Sequence, residues 1–341
     1  MQLKNDRLMH SNKTIPLVSI CCVTYNHENY IRQCLEGFVM QQTNFPFEVL
    51  VHEDASTDNT AKIVKEYEAK YPDLFRCVYQ TENQFLKQNT LQNILFPMIR
   101  GKYVALCEGD DYWTDPLKLQ KQSDFLSENP EYSVCFHAVN EKRDDKIEFS
   151  THQPDVEKTF DIRDLAKGNF IHTPSVLFIK GLFEFPDWFF QVQAADYVIH
   201  MLNARKGLIK YFPEPMAVYR IHAQGIWNLQ KYEYRLLNTI KTIDLMINEF
   251  DGNVKEILIK QNAGYYNSLA KIAYSERDVE KAKRYLEKAF FLDDSLKEEW
   301  LINYYPTMIF RLFNSRRYKA SERFFNFINR VLFIGQRKKK Q

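Results

Sequence analysis

The chain has 341 residues, enough for one large domain and a smaller appendage. Apolar residues make up 45% of it and aromatics 15%, with 26 Phe and 20 Tyr, which provides ample side chains for burial and excludes a disordered chain. A formal net charge of +2 excludes a surface built as a whole to hold polyanions, so no nucleic-acid partner is expected.

In chain order, residues 1–15 read as an N-terminal extension whose sequence, MQLKNDRLMHSNKT, lacks the apolar stretch of a signal peptide. No later run approaches the ~20 apolar residues that span a bilayer. The six cysteines, Cys21, Cys22, Cys34, Cys77, Cys107 and Cys135, form no CxxC pair and read as buried reduced thiols. These features predict a cytoplasmic location.

Four short β-rich runs follow, at 17–23, 48–52, 76–80 and 103–107. Near-continuous apolar stretches such as VSICCV and YVALC suit strands buried on both faces, as in a parallel sheet covered by helices. Helical spacing marks 29–41 and 60–71, the second stopped by Pro72. Asp115-Pro116 reads as an N-cap and first-turn pair opening a helix over 117–126. Further strands are predicted at 132–137 and 175–179 and a helix at 196–204, all completing one domain over 16–228. From 229 to 341 the pattern is helical, and Tyr266, Leu269, Ala270, Ala273, Ala282, Leu286 and Ala289 fall at the spacing of a tetratricopeptide-like hairpin. Tyr304, Ala320 and Phe324 repeat part of it. One such hairpin cannot bury its own face, so it is expected to pack on the catalytic domain or on a partner.

Each of the first four strands runs into a polar cluster: Thr24-Tyr25-Asn26, Glu53-Asp54, Glu82-Asn83, and Glu108-Gly109-Asp110-Asp111. In an open parallel sheet, ligands bind outside the carboxyl ends of the strands, so four loops converge on one candidate site. In EGDDYW (108–113), Glu108, Asp110 and Asp111 repel one another unless a cation neutralises them. A hard cation, Mn²⁺ or Mg²⁺, with a diphosphate is the natural occupant, against the plainer reading of a solvated acidic turn. In HEDASTDNT (52–60), Asp54 is placed to accept hydrogen bonds from a nucleobase edge, while Ser56, Asp58 and Thr60 suit the turn and the start of the next helix; a capped connecting loop is the alternative.

The order VSICCVTYNHENYIRQCLEGFVMQQ, EVLVHEDASTDNT, GKYVALCEGDDYWTDPLKLQKQ resembles the family 2 inverting glycosyltransferases with a GT-A-type, Rossmann-like fold. That resemblance covers residues 16 to about 135 well, and the chain more loosely to about 226. It implies a metal-dependent enzyme with a nucleotide-sugar donor, a UDP-sugar being the commonest, and a role in surface-polysaccharide or glycan assembly. Thr24 and Tyr25 would border the nucleotide base, Asp54 would contact it, and Asn93 would lie in the donor pocket. The family's Asp-x-Asp motif maps onto Glu108 and Asp110, followed by Asp111; Glu replaces the first Asp, and Asp110 is the leading metal ligand. Asp196, in Ala195-Asp196-Tyr197, matches the catalytic base, with Ala where a Glu is frequent; a helix cap is its alternative role. YRIH (219–222) resembles the family's late histidine or arginine near the diphosphate, and His222 is a metal ligand, a phosphate donor or structural. Trp113 is either an acceptor-stacking platform or a core aromatic.

The expected reaction is an in-line displacement. Asp196 takes a proton from a hydroxyl of a glycan or lipid-linked glycan acceptor, which attacks the anomeric carbon with inversion while the cation offsets the diphosphate's charge. Nucleotidyl transfer is the rival chemistry, although TYNHENY has no Gly-rich, basic phosphate loop. A degenerate nucleotide-sugar-binding module is the non-enzymatic rival. Residues 316–340 hold nine Lys/Arg and one acid, Glu322, interleaved with Phe324, Phe325, Phe327, Ile328, Val331, Leu332, Phe333 and Ile334. Such a stretch either lies peripherally on the inner face of an anionic membrane or packs on the protein.

Overall fold

The computed structural model describes residues 15–85, 91–150, 153–222 and 231–303. It comprises two compact units divided between Gln230 and Lys231.

The first unit is built on a sheet whose leading half is parallel. Strands β1 (Val18–Thr24), β2 (Phe47–Glu53), β3 (Phe75–Tyr79) and β4 (Tyr103–Leu106) lie in the order β3-β2-β1-β4. Register is continuous, with Ile20 between Val49 and Ala105. Their apolar runs are buried because helices cover them. On α1 (Ile31–Val39), Ile31, Cys34, Leu35 and Phe38 recur at helical spacing and point into the sheet; Ile63, Val64 and Tyr67 do the same on α2 (Thr60–Lys70). Each such aliphatic or aromatic side chain contributes about 1.5–3 kcal/mol on burial.

At the amino ends of these strands a buried carboxylate fixes the register. Glu48 accepts hydrogen bonds from the Ser19 hydroxyl at 2.6 Å and from the Arg76 and Arg100 guanidiniums at 3.0 and 2.8 Å. Burial works to raise its pKa, but these donors outweigh it and hold the carboxyl below its usual value.

The second half of the sheet is mixed. It contains β5 (Tyr112–Trp113), β6 (Tyr132–Arg143), β7 (Lys146–Phe149), β8 (Lys158–Phe160), β9 (Leu177–Ile179) and β10 (Leu208–Ile221), with α3 (Lys118–Glu128), α4 (Ile162–Leu165) and α5 (Ala195–Ala204) between them. The order continues β4-β9-β6-β10-β5. β9 is antiparallel to β4 and β6, whereas β10 runs parallel to β6. Pro174 holds Thr173–Ser175 in a 3₁₀ turn, so β9 starts later than the sequence pattern predicts. Asp115 acts one step before the helix: its Oδ1 accepts the Leu117 N–H at 2.8 Å, and α3 begins at Lys118.

The second unit is helical: α6 (Tyr232–Met246), α7 (Gly252–Ser275), α8 (Val279–Leu292) and α9 (Leu296–Asn303). Tyr266, Leu269, Ala270 and Ala273 of α7 and Ala282, Leu286 and Ala289 of α8 are all buried, the alanines allowing close approach of the two helices. Leu236 and Ile240 of α6 and Trp300 join the same core, so the hairpin's open face is covered within its own unit. The predicted partial repeat (Tyr304, Ala320, Phe324) and the basic stretch 316–340 lie outside the described residues. No helix among the described residues is long and apolar enough to cross a membrane. All six cysteines are free, and all but Cys77 are fully buried.

Candidate active site

The loops after β1 and β2 are laced together at the carboxyl edge of the sheet. Asn26 donates its N–H to the Ser56 hydroxyl at 3.0 Å, His27 to the Thr60 hydroxyl at 2.8 Å and Glu28 to Asp58 at 3.0 Å. In return Asn26 Oδ1 accepts the Thr57 N–H and Glu28 accepts the Asn59 N–H. Ser56, Asp58 and Thr60 therefore shape their own turn, as the sequence suggests, and also clamp a loop 30 residues away. Asp54 is buried; its Oδ1 accepts the Gln84 N–H at 2.7 Å, and its carbonyl accepts from Asn83, which brings in the third loop.

The fourth loop carries the acids. Ligand atoms of Glu108, Asp110 and Asp111 all lie within 4.8 Å of one another. Gly109 makes the approach possible: a Cβ there would sit 2.5 Å from the Thr24 hydroxyl and 3.0 Å from His27 Nδ1. Asp110 Oδ2 lies 3.1 Å from His222 Nε2 and 3.7 Å from His27 Nε2. Burial pushes up the Asp110 carboxyl, but the His222 hydrogen bond and the charge of His27 overcome it and leave the pKa below its usual value. Burial, then the charges of Asp110 and Glu108, hold Asp111 well above. Burial and the neighbouring Asp110 and Asp196 push Glu108 up to about 8. Asp111 Oδ2 and His222 Nδ1 are buried without a hydrogen-bond partner. A crowded acid set with orphaned polar atoms and an adjoining imidazole fits a divalent cation held by Asp110 and His222.

Asp196 stands in the first turn of α5, where its Oδ2 accepts from the Asn169 amide at 2.9 Å. Burial raises its pKa above the usual aspartate value. Its charge is felt by Glu108 and by Tyr219, so the candidate base lies within electrostatic reach of the acidic loop. Tyr219 and His222 reach that loop because β10 runs alongside β6 as far as Ile221 and also pairs with β5, at Ala217 and Val218.

Not every sequence-predicted residue is at the open face. Trp113 is 2% exposed and is a core aromatic, which corrects its reading as an acceptor platform. The antiparallel pairing of β5 with β10 turns it inward over α1, where a Cβ on Gly37 would touch its backbone at 2.9 Å. Its indole N–H donates to the Pro174 carbonyl at 2.8 Å, Phe38 packs edge-on at 4.8 Å, and Lys118 Nζ lies 4.1 Å from the ring centroid. Thr24 is buried beneath the site, its hydroxyl 3.2 Å from His27 Nδ1, while Tyr25 is exposed. Asn93 is exposed on the π turn Leu91–Leu95, next to residues 86–90 outside the described set. His27 and Asn169 escape the sequence reading, and Arg220, although within YRIH, is given no role there. Only His27, as a polar residue in a strand-end loop, carries a local signal.

Known proteins resemble the chain in sequence or in fold. The chain is similar to an uncharacterised protein of Mycobacterium tuberculosis, at 43% identity over 212 residues, 62% of this chain and 60% of that one. It thus spans about 60% of the length of that curated relative. The structure resembles S. aureus TarS solved with UDP-GlcNAc, with a TM-score of 0.58 and 16% identity over 79% of this chain and 90% of that one. It also resembles the mannosyltransferase PcManGT of Pyrobaculum calidifontis solved with GDP-Man and Mn²⁺, with a TM-score of 0.54 and 18% identity over 86% of this chain and 83% of that one. At these identities the likeness is one of fold, a GT-A-type α/β sheet flanked by helices. The model of the family "Glycosyl transferase family 2" matches residues 19–189, half of the sequence, and the chain belongs to that family.

Proposed function

We propose that this chain transfers a sugar from a nucleoside-diphosphate donor, with UDP as the nucleotide, to a hydroxyl of a glycan or lipid-linked glycan during polysaccharide assembly. The observation that carries the reading is the acidic loop after β4, with Asp110 Oδ2 3.1 Å from His222 and the Asp196 carboxylate within electrostatic reach of Glu108. Nucleotide sugars bound to two structural neighbours, one with Mn²⁺, support it.

Asp110 and His222 would hold Mn²⁺ or Mg²⁺, which supplies charge stabilisation to the leaving diphosphate. The chain's own residues do the rest. Asp54 and the laced loops around Tyr25 frame the base pocket, with Asn93 near its rim. Asp196, kept basic by burial and oriented by Asn169, accepts the acceptor hydroxyl's proton as that oxygen attacks. The bond from the anomeric carbon to the diphosphate oxygen breaks on the opposite face, which inverts the configuration.

A thermal-shift screen of nucleotides and nucleotide sugars, each with and without Mn²⁺, tests the reading, since ligands that bind only the folded state raise its melting temperature. A Mn²⁺-dependent shift with a UDP-sugar and its turnover with a glycan acceptor are expected; no shift with any nucleotide would remove the proposal. The basic, aromatic stretch 316–340 is assigned to peripheral contact with an anionic membrane. Equal sedimentation with anionic liposomes of the full chain and a chain ending at Ser315 would remove that assignment.

A further inference from the structure

Arg220 fastens the acidic loop from behind. It is the penultimate residue of β10 and is 7% exposed. Its backbone N–H donates to Asp111 Oδ1 at 2.8 Å. One arm of its guanidinium donates to the Asp110 carbonyl and the other to Gln33 Oε1 on α1. The guanidinium lies near two aromatic rings, with Cζ 4.3 Å from the Tyr112 centroid and 5.2 Å from that of Tyr30. Tyr30 in turn lies 4.5 Å, centroid to centroid, from the His222 ring.

These contacts divide the labour between two residues on one strand end. Side chains two apart on an extended chain share a side, so Arg220 and His222 both meet the acidic loop. His222 meets the carboxylate of Asp110, whereas Arg220 grips its main chain. The direct partners of the guanidinium are two neutral oxygens and two aromatic faces. Its charge is left to act on the neighbouring acids, and it lowers the pKa of Asp111 against burial. Glu108, Asp110 and Asp111 are close enough to repel, and a fixed positive charge behind them reduces that repulsion before any cation arrives.

We propose that Arg220 is a positioning residue for the cation site: by holding the Asp110 main chain and the Asp111 carboxylate against α1, it aims the Asp110 side chain at His222 and at a divalent cation. The proposal rests on the reading of this loop as a cation site. Lysine is a poor substitute at such a position. It keeps the charge but loses the planar fork that reaches two acceptors at once and the flat face that meets the Tyr30 and Tyr112 rings. Residues that orient ligands from behind typically change metal affinity or activity by about 10- to 100-fold when replaced.

Mn²⁺ binding to the full chain in the presence of UDP, read from the electron paramagnetic resonance of free Mn²⁺, tests this on wild type, Arg220→Lys and Gln33→Ala, with melting temperatures taken without metal. Arg220→Lys is expected to weaken Mn²⁺ binding by about 10- to 100-fold at a near-unchanged melting temperature, with turnover recovered by excess Mn²⁺. Gln33→Ala, an exposed change that only frees one arm of the fork, should give a smaller shift in the same direction. Unchanged Mn²⁺ affinity in both variants, with a wild type that binds the ion, would overturn the positioning role alone. Melting temperatures lowered in both, with turnover that excess Mn²⁺ does not recover, would make Arg220 a fold residue and overturn it as well. A wild type that binds no Mn²⁺ would sink the cation reading and this inference together.

Discussion

His222 Nε2 lies 3.1 Å from Asp110 Oδ2, a contact between residues 112 apart in the sequence. It joins the end of β10 to the loop that follows β4. Asp110→Asn keeps the size of the side chain and leaves the main-chain bond to Arg220 in place, but removes the charge that would hold a cation. Metal-stimulated transfer should vanish while the melting temperature without metal stays near that of wild type. Chelation of the wild type should reproduce the loss. Full metal-dependent turnover in the variant would exclude Asp110 as ligand.

Asp196→Asn should lower turnover by about 10²- to 10⁴-fold, the usual contribution of a general base, and leave donor affinity intact. Burial raises the Asp196 carboxyl above its ordinary pKa. A base works only when deprotonated, so wild-type turnover should climb as pH rises through that raised value and fall away below it. The variant should lack this acidic limb. Calorimetric donor affinity measured beside transfer rates decides the matter: loss of both affinity and thermal stability would make Asp196 a structural cap.

Trp113→Phe separates a core role from an acceptor role. The change leaves the Pro174 carbonyl without its donor and opens space beside Phe38, for which a loss of about 1–3 kcal/mol is expected. The acceptor KM should not move. A raised KM at unchanged stability would restore the stacking platform.

Local pattern revealed the strands and their polar ends because a buried parallel strand is written as a continuous apolar run, and its carboxyl end is marked where that run stops. VSICCV ending at Thr24 and YVALC ending at Glu108 are read this way without any knowledge of pairing. The same logic failed for Trp113, since an aromatic beside an acidic loop reads alike whether it faces out or in. Its direction is set by a two-residue pairing with Ala217 and Val218, about a hundred positions away. The contacts of Arg220 are hidden for the same reason. Its partners Gln33, Tyr30, Asp110 and Tyr112 come from three separate elements, and no spacing within YRIH signals them. Asp196 was legible only through the resemblance, and its neighbour Asn169 not at all.

Lys118 offers a prediction about stability. It is fully buried, donates to Gln122 at 2.7 Å and sits on the Trp113 ring, and burial pushes its pKa from the ordinary 10.5 down to about 7. Between these values the unfolded chain binds more protons than the folded one, so this group's contribution to stability should be complete above the ordinary lysine range and lost as pH falls toward about 7. The slope from this group is at most about 1.4 kcal/mol per pH unit. Lys118→Met, of similar reach and uncharged, should flatten the slope in denaturant titrations across that window. An unchanged slope would show that Lys118 keeps its proton in the folded state.

β10 is the last strand among the described residues of the first unit, and its end supplies both Arg220 and His222 to a loop made a hundred residues earlier. Loop closure over such separations is slow compared with local pairing. During synthesis, β1 to β4 and the laced loops that follow β1 and β2 are complete long before Tyr219 leaves the ribosome, while the acids after β4 still lack their imidazole and guanidinium. The proposed transfer centre is therefore the last part of the sheet to come together, and a chain that ends before β10 would keep the laced loops of the proposed nucleotide side without the imidazole and guanidinium that meet the acids.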